Sequence, residues 1–397
     1  MISQRQLFLS HLAQTSDTPL ALEIEKAEGI YLTDISGKKY MDIISGISVS
    51  NVGHRHPKVL KAINEQLDKY LHLMVYGEYV QSPQVQLAKL IKEQLPPSLS
   101  SVYFVNSGSE ANEGALKLAK RYTGRTEIIA CHNAYHGSTH GALSVMGNED
   151  SKKAFRPLLP GIRFIRFNNA SDLEQITPKT ACVIIEPIQG EAGIIVPDAG
   201  YLEQLRKKCT ENGTLLIFDE IQTGFGRTGT LFAFEYFKAI PDILTIAKGM
   251  GGGMPIGAFI SSKEMMDSFK TNPALGHITT FGGHPVCCAA GKACLEILLE
   301  EKLSEKALEK EQLFKSLLLH ASIKEVRGKG LLLAVEFADD KFTKKVIDKC
   351  IENGVITDWF LFCSNSMRIA PPLTITKDQI KEACDIIIKS IDSCCID

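Results

Sequence analysis

The stretch Thr214–Met254, TLLIFDEIQTGFGRTGTLFAFEYFKAIPDILTIAKGMGGGM, decides how the rest of this chain is read. It opens on Leu215-Leu216-Ile217-Phe218, an apolar run of strand length that stops abruptly at Asp219-Glu220. A second run, Ile243 to Ala247, stops just as abruptly at Lys248, followed by Gly249 and then Gly251-Gly252-Gly253. In open α/β sheets ligands bind at the carboxyl ends of parallel strands, so an acid and a lysine that each end a buried strand are placed to face one pocket.

A lysine amine forms Schiff bases with carbonyls and is most nucleophilic where a dry, electropositive setting depresses its pKa. Pyridoxal phosphate brings such a carbonyl, an electron sink and a pyridine nitrogen that needs an acidic partner. Asp219 would be that partner and Lys248 the anchor. The same residues also allow a plain structural reading, in which Asp219-Glu220 begins a loop, Lys248 is a solvated strand end and the glycines form a tight turn.

Working outward, Val102–Val105 and Glu127–Cys131 read as strands around a helix from Gly108 to Arg121. Further apolar runs fall at Ile162–Phe167, Cys182–Ile185 and Ile256–Ile260. Alternation of this kind predicts an α/β domain with a mostly parallel sheet covered by helices on both faces. Upstream, residues 1 to 18 suggest a short amphipathic helix. Ala21–Ile24, Gly29–Leu32 and Tyr40–Ile44 suggest a small antiparallel sheet, and helices follow from Pro57 and from Pro83 to Leu95. Downstream of Pro285 comes a long helical stretch to about Leu319, broken near Leu303. Strands at Val326–Phe337, Val355–Thr357 and Met367–Ile369 alternate there with helices at Phe342–Asn353 and Lys377–Asp392. The expected division is a large cofactor-binding domain over residues 51–285 and a smaller α+β domain over 286–397. Residues 1–50 are expected to pack on the smaller one.

Composition narrows the class of partner. The chain has 397 residues, 44% hydrophobic and 23% charged, an ordinary globular balance. A formal charge of −2 leaves no basic surplus for a nucleic-acid footprint, and no apolar run approaches membrane-spanning length. A small-molecule partner and a cytoplasmic location are expected. The eleven cysteines, with no Cys-x-x-Cys among them, read as buried thiols rather than disulfides or a zinc site. His54 and His56, one residue apart on an extended segment, point to opposite sides and are not expected to share a metal.

Other strand ends carry compatible groups. Asn106-Ser107-Gly108-Ser109 follows the first strand and opens a helix, so free backbone N–H groups, hydroxyls and the positive end of the helix dipole suit a phosphate. Ser107 or Ser109 is equally a helix N-cap. Tyr135, after the next strand, could stack on a pyridine ring or sit in the core. Glu186 and Glu191 follow another strand in Glu186-Pro187-Ile188-Gln189-Gly190-Glu191.

Taken in order, Phe104-Val105-Asn106-Ser107-Gly108-Ser109-Glu110-Ala111-Asn112-Glu113, Tyr135-His136-Gly137, the Glu186–Glu191 segment, Phe218-Asp219-Glu220-Ile221-Gln222-Thr223-Gly224-Phe225-Gly226-Arg227-Thr228-Gly229, Ala247-Lys248-Gly249, Thr280-Phe281-Gly282-Gly283 and Met367-Arg368-Ile369-Ala370-Pro371-Pro372 resemble the class III aminotransferases. The resemblance spans nearly the whole chain and is greatest to the acetylornithine, ornithine and 4-aminobutyrate branch. It implies the fold-type I architecture of pyridoxal-phosphate enzymes and a ping-pong transfer of an amino group from an amino acid or ω-amine to a 2-oxo acid, 2-oxoglutarate or pyruvate. By this resemblance Lys248 holds pyridoxal 5'-phosphate and shuttles the proton, Asp219 pairs with the ring nitrogen, and Gln222 reaches the ring hydroxyl. Ser107, Gly108 and Ser109 hold the phosphate, Tyr135 stacks on the ring, and His136 and Glu186 complete the cofactor surroundings. Thr280 would reach the phosphate of a neighbouring subunit, which implies a homodimer with composite sites. Arg368 would bind a substrate α-carboxylate, and Glu191 would pair with it when the donor lacks one.

One position departs from the pattern. Ornithine-type and acetylornithine-type enzymes carry arginine directly after the His-Gly, where this chain has Ser138; a hydroxyl cannot replace a bidentate guanidinium. Either the far ends of donor and acceptor are not carboxylates, or a displaced cation serves them. Two other enzyme classes remain in view. An aminomutase of the glutamate-1-semialdehyde type shares the fold, although Arg368 argues against it. A nicotinamide enzyme built on the glycine runs would need a Gly-x-Gly-x-x-Gly after a strand, which neither run supplies.

Overall fold

A computed structural model describes residues 3–75 and 77–396. Its centre is a seven-stranded sheet in the order Ser101–Val105, Gly257–Ser261, Ile243–Ile246, Leu215–Asp219, Thr180–Ile185, Glu127–Cys131, Ile162–Ile165. Successive residues of the inner strands face opposite layers. Ile128, Ala130, Cys182, Ile184, Leu215 and Ile217 pack with Ala111, Ala115 and Leu118 of the helix Gly108–Thr123. Their neighbours Ile129, Cys131, Val183, Ile185, Leu216 and Phe218 enter the larger core on the other face. With both faces covered, the strands Thr180–Ile185 and Leu215–Asp219 are buried along their whole length, which is why they read as unbroken apolar runs.

The sheet is mostly parallel, with one exception. The strand Gly257–Ser261 runs antiparallel to both of its neighbours, Ser101–Val105 and Ile243–Ile246. Only the short glycine-rich link Ala247–Ile256 separates it from the preceding strand, too few residues for a helical crossover. The apolar run at 256–260 carries no mark of direction.

The helix Gly108–Thr123 is capped by Ser107, whose Oγ accepts from Glu110 N at 3.2 Å, and ends at Gly124 with φ 68°. Gly114 lies flat on Phe259: a Cβ there would stand 2.3 Å from the ring. The helix and the antiparallel strand therefore meet without a side chain between them.

Three strands, Ile24–Glu28, Tyr31–Asp34 and Lys39–Asp42, form the expected antiparallel N-terminal sheet, the first of them beginning where the expected strand Ala21–Ile24 ends. A fourth strand, Val355–Ile356, joins it in parallel, setting Met41 beside Val355 and Asp42 beside Ile356. The expected strand Val326–Phe337 is a hairpin, Glu325–Lys329 and Leu332–Glu336, that turns at Gly330 with φ 60°. It pairs with Cys363–Ile369, whose other edge takes Trp359–Phe360, a short strand with no periodic signal of its own. The long C-terminal helical stretch divides into Pro285–Glu300 and Leu303–Leu317 at Lys302, φ 52°. The expected amphipathic helix within residues 1–18 is shorter, Gln4–His11, and none of its residues is buried. His54 pairs with Asp42 at 2.8 Å and His56 lies 3.8 Å from Glu301, so the two imidazoles serve different carboxylates.

Between the N-terminal sheet and the first long helix, Ser45, Gly46, Ile47 and Ser48 all take positive φ, 45°, 61°, 64° and 63°. A left-handed turn of L-residues costs about 1–2 kcal/mol per residue, and a β-branched Ile47 sits among them. The turn is fastened from outside. Asp42 Oδ1 accepts from Ser45 N at 2.7 Å, Ser45 Oγ donates to the carbonyl of Ala370, and Arg227 Nη2 donates to Ser45 Oγ at 3.2 Å. Arg227 is fully buried and also donates to the carbonyls of Leu331 and Pro371 and to Asn51 Oδ1, joining four segments.

Candidate active site

The parallel strands deliver Asn106, Glu186, Asp219 and Lys248 to one edge of the sheet, where they line a cleft of about 380 Å³. Ser107, Gly108, Ser109, Tyr135, His136 and Gln222 line the same cleft. Of the residues predicted as cofactor contacts, Thr280 alone lies elsewhere: it is exposed on the loop before Gly282 and does not line the cleft of its own chain.

At one side the helix Gly108–Thr123 presents its N-terminus. Gly108 packs so closely on Ile221 that a Cβ would come within 2.7 Å of its side chain, and Gly137, at φ 123°, would meet Ser109 Oγ at 2.1 Å. Bare backbone is thus brought together around the Ser109 hydroxyl, which accepts from Ser138 N at 3.3 Å. Such a helix end favours an anion.

On the floor, Asp219 is 3% exposed and accepts three hydrogen bonds: His136 Nδ1 and Asn112 Nδ2 to Oδ2, both at 2.7 Å, and Ile221 N to Oδ1 at 3.0 Å. Asn112 is held in turn by the carbonyl of His136 at 2.7 Å and by Thr245 Oγ1, which donates to its Oδ1 at 2.8 Å. Asn112 and Thr245 were missed in the sequence. Their signal was a polar residue on an otherwise apolar face, Asn112 beside Ala111 and Ala115, Thr245 inside Ile243–Ile246. Glu220, next to Asp219, turns away and accepts from the amides of Ala233 and Phe234, with burial raising its pKa to about 7.

Lys248 follows Ala247 at φ 47°. Gly249 lets Asn51 approach: a Cβ there would lie 2.4 Å from Asn51 Nδ2. Burial pushes the Lys248 amine below the ordinary lysine value, while Glu191 and Asp219 pull the other way. Glu186 braces two loops, accepting from Tyr135 N at 3.2 Å and Gly190 N at 3.0 Å, and burial raises its carboxyl to about 7.

Arg368, 2% exposed, meets Glu191 in two parallel bonds, Nη1 to Oε1 at 2.9 Å and Nη2 to Oε2 at 3.0 Å. Burial would raise the Glu191 carboxyl, but Arg368 overrides it and leaves it below the ordinary range. Gln222 Nε2 donates to the same Glu191 Oε1 at 3.1 Å, linking the arginine pair to the Asp219 loop. A second carboxylate, Asp358, takes Arg368 Nε at 2.9 Å, and Phe360 lies under the guanidinium at 4.5 Å. Asp358, in a loop, had no signal in the sequence. Ser138 is exposed, with its Oγ 3.3 Å from Tyr135 Oη.

Among the described residues lining this cleft, His136 and Gln222 each carry a buried polar atom without a partner, Nε2 and Oε1. A flat heteroaromatic ring carrying a hydroxyl, with a dianionic arm directed at the helix N-terminus, fits the arrangement. Gln222 would reach the hydroxyl, Asp219 would pair with the ring nitrogen, and Lys248 would supply the amine. The residues present therefore suit pyridoxal 5'-phosphate, and fold and cleft together define an enzyme of the fold-type I class that uses it.

The chain belongs to the class-III aminotransferases: the model of the family described as "Aminotransferase class-III" matches residues 12–391. It is 39% identical over 376 residues to an acetylornithine aminotransferase of Methanopyrus kandleri, covering 94% of each chain. It is 41% identical over 374 residues to that of Methanosarcina mazei, covering 92% of this chain and 91% of the relative. Among solved structures it matches the ornithine aminotransferase of Toxoplasma gondii with a TM-score of 0.90 at 33% identity, over 97% of this chain and 92% of that one. A transaminase of the marine bacterium Virgibacillus matches with a TM-score of 0.91 at 28% identity, over 98% of each chain. The enzyme is a pyridoxal-phosphate-dependent transaminase; neither the aminomutase nor the nicotinamide reading is favoured.

Proposed function

We propose that the enzyme moves an amino group from an amino acid or ω-amine of the acetylornithine, ornithine or 4-aminobutyrate kind to 2-oxoglutarate or pyruvate, with Lys248 and Asp219 as its catalytic residues. The observation that carries this reading is Arg368 lying covered by a Glu191 that Gln222, a lining residue of the cleft with Lys248 and Asp219, holds at 3.1 Å. Two half-reactions on one site need a carboxylate-binding group that can be exposed for an α-amino or 2-oxo acid and covered for an amine without that carboxylate. A guanidinium paired with a movable glutamate supplies both states.

Bound pyridoxal phosphate supplies an electrophilic carbonyl and an electron sink. Asp219 holds a proton at the ring nitrogen, and its bonds from His136, Asn112 and Ile221 fix the carboxylate for that task. Lys248 Nζ takes the proton from the substrate carbon and returns it at the other end of the transfer. Ser107, Gly108 and Ser109 anchor the phosphate, Tyr135 covers the ring, and Gln222 orients the hydroxyl. Glu186 fixes the loops that carry Tyr135 and Gly190.

The exposed Thr280 supports a homodimer in which it completes the partner subunit's site. We group residues 1–50 with 286–397 as the small domain and take 51–285 as the large one, supported by the pairing of Met41 with Val355. The cytoplasm suits the buried thiols Cys131, Cys182 and Cys294. No helix among the described residues is long and apolar enough to cross a membrane. A panel of amino donors, including an N-acetylated diamino acid, and of 2-oxo acids tests the reading. Conversion of the cofactor band by donors and its recovery with acceptors is expected; a holoenzyme inert to every donor overturns it.

A further inference from the structure

Beside the cofactor cleft lies a second cavity of about 350 Å³ that shares Tyr135 with it as a common wall. Leu143 and Met146, both buried, line it from within, and the half-buried Phe362 with the exposed Phe155 and Leu361 gives it an apolar outer wall. Its polar lining is neutral hydroxyl, from Ser138 and Ser151, with the imidazole of His140; no arginine, lysine or carboxylate is among its described lining residues. The cations nearest in sequence point elsewhere. Lys152, beside Ser151, sits over the Phe164 ring at 4.0 Å and 3.7 Å from Glu149, and Arg156, beside Phe155, pairs with the same Glu149 at 2.6 Å. The cavity wall is also tied to the arginine cover: Leu361 N donates to Glu191 Oε2 at 3.1 Å and Phe362 N to the Glu191 carbonyl at 3.0 Å.

A carboxylate entering such a space gives up part of its water and gains no counter-ion, whereas an alkyl or aryl group gains by leaving water. Resting on the transaminase reading above, we propose that this cavity is the subsite for the substrate end remote from Arg368, and that it takes an uncharged alkyl or aryl group in preference to a second carboxylate. Of the two explanations for the missing arginine at Ser138, this selects the neutral far end.

The test uses the holoenzyme in its amine form and follows single-turnover return of the cofactor band with pyruvate, 4-methyl-2-oxopentanoate, phenylpyruvate and 2-oxoglutarate. The apolar acceptors are expected to exceed 2-oxoglutarate by about tenfold or more in kcat/KM, and Ser138→Arg to raise 2-oxoglutarate by about tenfold. Met146→Trp, or Phe155→Trp at the more exposed wall, should slow the two bulky acceptors by about tenfold and leave pyruvate, which has no remote end, within about twofold. A wild-type preference for 2-oxoglutarate of about a hundredfold with no gain from Ser138→Arg would overturn the subsite, as would equal losses for pyruvate and the bulky acceptors in both tryptophan variants. If no donor or acceptor of any kind reacts, the transaminase reading itself fails and takes the subsite with it; reaction with pyruvate keeps the two failures apart.

Discussion

Glu191 and Arg368 stand far apart in sequence, yet their side chains form a two-bond fork at 2.9 and 3.0 Å, and the carboxylate is simultaneously held by Gln222 Nε2 and Leu361 N. The guanidinium is therefore covered, and a substrate carboxylate reaches it only by displacing Glu191.

Glu191→Ala removes that competitor. A charged hydrogen-bonded contact contributes roughly 1.5–3 kcal/mol, so the KM for 2-oxo acids should fall by about tenfold or more, while amines lacking an α-carboxylate should lose a comparable factor against the exposed cation. Steady-state kinetics on both substrate types check this; a parallel change in both would show that Glu191 acts only as a structural tie.

Asp358 adds a pH dependence. Burial raises its carboxyl to about 6, against the pull of Arg368. Below that pH it is neutral, Arg368 keeps only Glu191 as counter-ion, and an incoming carboxylate meets a larger net positive charge. The KM for the 2-oxo acid should therefore fall severalfold from pH 7.5 to 5.5, on the order of one pKa unit of interaction or less. Asp358→Asn, which keeps an acceptor for Nε, should flatten that limb.

Lys248→Ala should abolish turnover and the visible band of the lysine-bound cofactor. Borohydride reduction of the wild-type holoenzyme followed by peptide mapping should label Lys248; a label on another lysine would remove it from the anchor position.

Asp219→Asn should retain the cofactor and slow the single-turnover step by about a hundredfold or more, the usual loss for one preorganised electrostatic group. Because Glu220 is committed to the amides of Ala233 and Phe234, it offers no substitute. Asn112→Ala should give a smaller loss of the same kind.

Mixing Lys248→Ala with Thr280→Ala subunits should restore activity, since a composite heterodimer has one site with both lesions and one with neither. Failure to recover activity after subunit exchange has been demonstrated would place Thr280 outside the partner's phosphate site.

The parallel core and its strand ends were legible because full burial writes unbroken apolar runs that stop at Asp219, Glu186 and Lys248. The strand Gly257–Ser261 showed its existence but not its direction, which depends on the length of the link before it. The hairpin at Gly330 merged into one strand because its first arm, Glu325–Lys329, has Val326 as its one apolar side chain and so no period of its own to set it apart from the apolar arm Leu332–Glu336. Asp358, and the apolar cavity beyond Ser138, arise from residues brought together by the fold from the segments 135–155 and 358–362, whose helical turns and two-residue strand are too short for a local period to announce them.

The left-handed turn at Ser45–Ser48 bears on how selectivity can be moved between relatives. It is held by the Ala370 carbonyl, two residues past Arg368, while Ala370 N returns a bond to the Ile43 carbonyl at 2.7 Å and Val49, one residue beyond the turn, lines the cofactor cleft. The arginine strand and the N-terminal turn are thus one mechanical part made from opposite ends of the chain. A chimera that grafts residues 355–373 from another transaminase without residues 42–51 would carry the arginine across and leave behind the brace that aims it.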